Sequence, residues 1–186
     1  GNRSAPSSPA CARPPDVTPP SAPEGLTALL AAPTEARLEW KGSSDDVGVA
    51  GYLLLRGDEV VATVGDTRAR LAGLAPGRRS CYQVSAFDAA GNRSERSAPA
   101  CLSTPDVTPP TPPTRLASEA GPAQVRLRWA PSADDVAVAG YEVLRDGQVV
   151  ATVQEPTASE TGLPAAVASC YTVRAYDAAG NRSAPA

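Results

Sequence analysis

Short apolar runs along the chain alternate with polar and turn-forming residues, and no apolar pattern of helical period extends far. Runs of alternating or β-branched residues recur roughly every 8–12 residues, and Gly, Pro and Asp separate them. In the first complete block this pattern predicts seven strands, at 25–31, 36–40, 51–56, 60–64, 69–72, 81–87 and 96–101. Seven short strands in a block of this size indicate an all-β sandwich of two sheets.

The block is repeated along the chain. The segment DAAGNRS at 88–94 recurs at 177–183, and the chain opens on GNRS, which is the end of the same segment. The second block predicts strands at 125–129, 140–145, 149–153 and 170–176. A repeat of domain length indicates tandem copies of one globular module. We therefore expect the last strand of a preceding repeat plus a linker at 1–15, a complete domain at 16–105, and a domain at 106–186 that lacks most of its last strand.

Composition limits the classes of function. A chain of 186 residues with 42% hydrophobic content can form two small cores. The net charge of -3, with no basic stripe, argues against a nucleic-acid partner, and the apolar runs are too short for membrane insertion. The chain has no histidine, and its paired carboxylates recur in both blocks, as those of a scaffold or ion site would. We therefore do not expect an enzyme.

Several motifs occur in both blocks. They include DVTPP at the start, a tryptophan in the second predicted strand, SSDDVGVAGY or SADDVAVAGY before the third, and CYQVSAFDAAGN or CYTVRAYDAAGN through the sixth. Together with LAPG before the sixth strand of the first block, they resemble the bacterial fibronectin type III module of secreted glycoside hydrolases and surface proteins. The resemblance implies tandem seven-stranded immunoglobulin-like β-sandwiches in an extracellular protein, either secreted or on the cell surface.

The cysteines predict a disulfide. In a hairpin centred on Gly91, Cys81 and Cys101 lie opposite each other on neighbouring strands, which suits a bridge. The alternative is two free thiols; zinc is disfavoured, because the chain has no histidine and no CxxC pair. A bridge implies an oxidising compartment.

The same spacing leaves Cys11 and Cys170 to pair with neighbouring repeats or chains. One explanation is that the chain is part of a longer array of repeats. The alternative is head-to-tail strand donation, in which a Cys11–Cys170 bridge between chains would build an open filament.

Acidic residues recur at three places that the resemblance puts at one pole of each sandwich: the entry, the loop before the third strand, and the last hairpin. Carboxylate and amide oxygens are the ligands that calcium takes in proteins, so this pole is a candidate calcium site. The alternative is that the aspartates only cap turns. The candidate ligands are Asp16, Asp45, Asp46, Asp88 and Asn92 in the first block, and Asp106, Asp134, Asp135, Asp177 and Asn181 in the second.

Proline-rich linkers at 14–23 and 104–113 favour extended backbone and therefore a semi-rigid joint. We expect a non-catalytic structural spacer whose partners are neighbouring fibronectin III repeats. Two alternatives are a filament subunit assembled by strand donation, and an adhesive or polysaccharide-binding module.

Overall fold

The computed structural model describes Gly1, residues 13–164 and residues 167–186. The described residues form strands and no helix, so none lies in a helix that is long and apolar enough to cross a bilayer. The all-β prediction is confirmed. The strands are β1 (Glu24–Ala32), β2 (Glu35–Lys41), β3 (Val49–Arg56), β4 (Glu59–Val64), β5 (Arg68–Leu71), β6 (Arg79–Asp88), β7 (Ala100–Ser103), β8 (Thr114–Gly121), β9 (Gln124–Ala130), β10 (Val138–Arg145), β11 (Gln148–Val153), β12 (Thr157–Thr161) and β13 (Tyr171–Asp177).

Strands β1 to β7 form what we call the first sandwich. One of its sheets has the strand order β1-β2-β5 and the other β4-β3-β6-β7. Alternation along β2 produces the two faces: Ala36 and Leu38 are fully buried, whereas Arg37 between them is exposed. Between the sheets, the Trp40 and Tyr52 rings meet edge-on with centroids 5.5 Å apart. Such a pair adds about 0.5–1.5 kcal/mol to the stabilisation from burial.

Strands β8 to β13 form the second sandwich, with sheets in the order β12-β9-β8 and β11-β10-β13. Its core contains Leu127, Val143 and Val173, together with Trp129 and Tyr141, whose ring centroids are 5.3 Å apart. The chain divides into two compact units, of which the second comprises Ser103–Ala186 with Ala31–Glu35 and Ala72–Arg79. The strand predicted at 1–15 falls largely outside the described residues, and the exact domain boundaries stay predictions.

Each sandwich has a glycine at an irregular point where its third strand meets its sixth. A Cβ at Gly51 would lie 2.8 Å from the Phe87 ring and 2.9 Å from the carbonyl oxygen of Val64. At Gly140 the same atom would lie 2.6 Å from the carbonyl oxygen of Val153 and against the Tyr176 ring. The aromatic side chains of Phe87 and Tyr176 therefore cover glycines on the outer face.

The last strand of the first sandwich was predicted in the wrong place. It was predicted at 96–101 but forms at Ala100–Ser103. Upstream, serine hydroxyls take positions in the ladder: the Ala86 N–H donates to Ser94 Oγ at 2.9 Å and the Val84 N–H to Ser97 Oγ at 3.1 Å. Since these hydroxyls replace backbone carbonyls as acceptors, a regular strand begins only after Pro99.

Candidate functional site

A disulfide joins the last two strands of the first sandwich. It links Cys81 on β6 to Cys101 on β7, with the two Cα atoms 4.0 Å apart. Both residues are exposed, so the bridge lies on the outer face and leaves the core packing undisturbed. Cys170 is a free, exposed thiol, and Cys11 lies outside the described residues.

Burial and hydrogen bonds, in addition to the disulfide, fix the end of β7 within the first sandwich. Leu102 is only 8% exposed and Thr104 only 5%. The Thr104 N–H donates to the Arg78 carbonyl at 2.9 Å, and its hydroxyl donates to the Ala75 carbonyl at 2.6 Å. The strand is therefore fixed up to the residue at which the linker begins.

Each sandwich brings three of its predicted aspartates together, and we call this cluster the acidic pole. Ligand oxygens of Asp16, Asp45 and Asp46 lie within 4.8 Å of one another, and so do those of Asp106, Asp134 and Asp135. Asp16 and Asp45 are partly buried, and Asp46 is exposed. The structure thus gathers carboxylates from the chain entry and from the loop before the third strand.

The two oxygens of Asp45 differ in their surroundings. Oδ1 accepts hydrogen bonds from the N–H groups of Val47 at 3.0 Å and Gly48 at 2.7 Å, which is the turn capping that the alternative predicts. Oδ2 is buried and has no hydrogen-bond partner among the described residues. In the second sandwich, Asp134 has the same arrangement: Oδ2 caps the turn, and Oδ1 is buried and has no partner in the described part of the chain. An ordered water or a cation would satisfy such an atom.

The predicted ligands of the last hairpin form hydrogen bonds with each other. Asn92 donates from Nδ2 to Asp88 Oδ2 at 2.7 Å and from its backbone N–H to Asp88 Oδ1 at 2.9 Å. Asn92 Nδ2 also reaches the Asp16 carbonyl at 3.3 Å, which ties the hairpin to the chain entry. Burial of Asp88 opposes its ionisation, but the hydrogen bonds from Asn92 and the hairpin amides outweigh it and hold the pKa of Asp88 below its ordinary value.

The hairpin of the second sandwich has the same arrangement. Asn181 donates to both carboxylate oxygens of Asp177, at 2.8 and 2.7 Å, and to the Asp106 carbonyl at 3.3 Å. The pKa of Asp177 is likewise lowered, because the hydrogen bonds outweigh its burial. Asp88 and Asp177 are each 2% exposed, so these pairs act as buried hairpin locks. The acidic pole of each sandwich therefore consists of the three aspartates whose oxygens lie close together, and the hairpin pair lies outside it.

A charged cluster in the second sandwich was not predicted from the sequence. Glu142 accepts from Arg174 Nε at 2.6 Å and from Arg182 at 3.2 Å, while its own side chain is 13% exposed. The hydrogen bond from Arg182, followed by that from Arg174, lowers the pKa of Glu142 against the opposing effect of burial. The first block has Leu53 and Ser85 at the positions of Glu142 and Arg174, so repetition gave no signal for this cluster.

Comparison with known proteins identifies relatives of this chain, although no family model matches it. Exoglucanase B of Cellulomonas fimi is 40% identical over 178 residues, which are 92% of this chain and 16% of that protein. Chitinase A1 of Niallia circulans is 38% identical over 177 residues, which are 92% of this chain and 25% of that protein. The chain thus spans a quarter or less of the length of these two relatives.

A solved structure shows the same fold. The FN1-FN3 domains of chicken CNTN1 align with a TM-score of 0.51 at 18% identity, over 91% of this chain and 65% of that chain. Similarity at this level concerns the fold alone. Taken with the enzyme relatives and the motifs that both blocks share, it confirms the resemblance: the chain belongs to the fibronectin type III modules and is similar to regions of a bacterial exoglucanase and a bacterial chitinase.

Proposed function

We propose that the chain is a non-catalytic structural spacer in an extracellular bacterial protein, and that it holds attached domains at a set separation. Two findings support this. Its relatives are named exoglucanase and chitinase, and the chain matches only 16% and 25% of their lengths. The remainder of such a protein has room for the catalytic part, so the modules here serve positioning rather than chemistry.

The short segment that follows β7 is the feature that supports this proposal. Thr104 is hydrogen-bonded to Arg78 and Ala75, as described above. Two residues later, the Asp106 carbonyl accepts from Asn181 in the last hairpin of the second sandwich. Only Pro105 separates these anchored residues, and its ring fixes φ. A joint with so few free torsions favours a semi-rigid connection.

An extracellular location fits the disulfide. The Cys81–Cys101 bridge is exposed, and such bridges persist outside the reducing cytosol. A spacer that is exported together with a polysaccharide-degrading domain would help that domain to reach an insoluble substrate.

Distance measurement between spin labels tests the semi-rigid joint. Cysteines are introduced at Leu29 and Val149, which are 67% and 48% exposed, in a background where Cys11 and Cys170 are serine. We expect a narrow distance distribution that becomes broader when Pro105 is replaced by glycine. A distribution as broad as that of a flexible chain, unaffected by Pro105→Gly, contradicts the proposal.

The two alternative functions have their own measurements. Fibres of the purified chain in electron microscopy that disappear on reduction would indicate a filament subunit. Retention of the chain on insoluble cellulose or chitin would indicate a polysaccharide-binding module. Phe87 and Tyr176 lie over Gly51 and Gly140, so replacing each aromatic residue by alanine would show whether it contributes to any such retention.

Calcium binding at the acidic poles stays a prediction. The observation that favours it is the buried, unpartnered oxygen of Asp45 and of Asp134, which occurs within a three-carboxylate cluster in both sandwiches. A bound cation would neutralise the cluster and connect the chain entry to the loop before the third strand. A water molecule at the same place would satisfy the oxygen without metal dependence.

A further inference from the structure

The first sandwich has an arginine-rich groove of about 350 Å³ on its sheet β1-β2-β5, which we call the cationic groove. Arg37 on β2 and Arg68 and Arg70 on β5 line it, together with Asp66. Ala69, between the two arginines of β5, is only 9% exposed, whereas the arginines themselves are exposed. Because neighbouring side chains of a strand point to opposite faces, the guanidinium groups lie on the outer face of the sheet.

The strand register brings like charges together in this groove. Arg37 and Arg70 are partners in the antiparallel pairing of β2 with β5, and Glu39 is the partner of Arg68. Glu39, however, forms its ion pair with Arg37 on its own strand. Among the described residues, neither Arg68 nor Arg70 forms an ion pair. Like charges directly opposite each other on neighbouring strands destabilise a sheet, so this arrangement opposes folding.

The second sandwich shows that the module does not require these charges. Corresponding residues are 89 positions apart here, so Thr157 and Ser159 of β12 replace the two arginines of β5. Ser159 is the partner of Arg126 on β9, and on the other side of Arg126 the partner is Glu119 of β8. The corresponding face of the second sandwich therefore has no such pair of opposed arginines among its described residues. The arginines of the first sandwich serve something other than the fold.

The cations extend along the sheet beyond the groove itself. Lys41 is exposed on the same face of β2, four residues from Arg37 and therefore about 13 Å away along the strand. Arg68 and Arg70 are about 7 Å apart along β5 by the same rule. A ligand that contacts these groups together must be elongated and must carry negative charge at intervals. The whole chain has a net charge of -3, so this face departs locally from the sign of the protein.

We propose that the cationic groove binds a linear acidic polysaccharide through the carboxylates of its uronic acid units. Guanidinium groups pair with carboxylates through two parallel hydrogen bonds, which suits Arg68 and Arg70 to such units. The choice of a polysaccharide rests on the proposed extracellular function, in which polysaccharide-degrading domains are attached. Nucleic acid fits less well, because the described residues that line the groove include no aromatic side chain on which a base could stack.

Binding of the full chain to immobilised polygalacturonate tests the proposal. Biolayer interferometry measures Kd at about 50 mM and about 200 mM salt, since ionic contacts weaken as salt rises. The test variant is Arg68→Thr with Arg70→Ser, which introduces the residues of the second sandwich. The matched control is Arg126→Ser with Arg128→Thr, which removes the same charge from the corresponding face of the second sandwich. Hydroxyethyl cellulose, polyglutamate and single-stranded DNA are the comparison surfaces.

We expect the parent protein to bind polygalacturonate in preference to the three comparison surfaces, and more weakly at the higher salt concentration. The test variant should bind at least about tenfold more weakly, because two charge-assisted contacts are lost. The control variant should match the parent within about twofold, since salt screens charges beyond about 10 Å. The urea midpoint of the first sandwich, followed by Trp40 fluorescence, should not fall in the test variant, because the opposed charges are removed.

Failure of the parent to bind polygalacturonate would overturn the inference. Equal weakening in the test and control variants would overturn it too, because binding would then follow net charge rather than the groove. Equal or tighter binding to polyglutamate or to single-stranded DNA would assign the groove to that other class of polymer. The distances between spin labels test the spacer function separately: a narrow distribution without polygalacturonate binding would overturn this inference alone, and binding with a broad distribution would overturn only the semi-rigid joint.

Discussion

Replacement of both Cys81 and Cys101 by serine is expected to destabilise the first sandwich and to leave the second unchanged. The bridge closes a loop with a sequence separation of 20. By the chain-entropy relation, such a crosslink stabilises the folded state by about 3 kcal/mol, because it removes conformations from the unfolded chain. Small domains have total stabilities of about 5–15 kcal/mol, so this loss is a large fraction of the whole.

The two tryptophans allow each sandwich to be followed separately. Trp40 and Trp129 are each 6% exposed and lie in different cores, so the fluorescence of each reports the unfolding of its own sandwich. In a Trp129→Phe background, urea denaturation monitors the first sandwich alone. With a slope of about 1–3 kcal/mol per molar urea, a loss of about 3 kcal/mol lowers the midpoint by about 1–3 M.

The second sandwich supplies the matched control. In a Trp40→Phe background, we expect Cys170→Ser to leave the midpoint unchanged, because this thiol is free and exposed. The parent protein treated with a reducing agent should match the double serine variant. A first-sandwich shift below about 0.3 M, or an equal shift in the second sandwich on removal of the bridge, would refute the reasoning.

Three further predictions follow from the packing and the charges. Gly140→Ala should destabilise the second sandwich by about 1–3 kcal/mol in urea denaturation, because the new Cβ would lie 2.6 Å from the carbonyl oxygen of Val153; an unchanged midpoint would contradict this. Glu142→Gln should lower the free energy of unfolding by roughly 1 kcal/mol at neutral pH. The pKa of Glu142 is lowered in the folded state, so its ionised carboxylate stabilises the fold above the ordinary pKa of 4.5. This stabilisation is lost as the pH falls through the folded-state pKa, so the effect of the substitution should fade in acid. An effect that does not decrease as the pH is lowered below 4.5 would argue against this cause. Calcium should raise the melting temperature of the parent protein and a chelator should lower it, whereas Asp45→Asn should abolish the response of the first sandwich; no response in the parent would favour turn capping.

Periodicity predicted most of the strands, because their inner and outer faces differ in polarity. Along β2, alternation of buried Ala36 and Leu38 with exposed residues carries that signal. Strand β12 was not predicted at all, since its sequence TASET has no apolar alternation and its register comes from pairing with β9. Propensity and pattern cannot indicate a strand that tertiary pairing alone creates.

The disulfide of the candidate site could be predicted from the sequence, whereas the side-chain pairing at the last hairpin could not. Hairpin symmetry placed Cys81 opposite Cys101, because antiparallel pairing across a known turn constrains which residues face each other. Asp88 and Asn92 were predicted to join the cluster of Asp16 only because their loops lie at the same end of the sandwich. The sequence could not show that the carboxylate and the amide would bind each other at 2.7 Å. Side-chain pairing of this kind depends on geometry that spacing does not encode.

The position of the bridge near the end of β7 bears on how an array of such modules withstands tension. A pull from the following module enters the first sandwich at Thr104, only three residues beyond Cys101. Because the covalent link passes the load to β6, only residues 102–104 can peel from the sheet, which releases about 10 Å of chain. Reduction of the bridge would allow the terminal strand to unzip residue by residue. Stretching single molecules with and without a reducing agent should therefore show early yielding of the first sandwich only in the reduced sample.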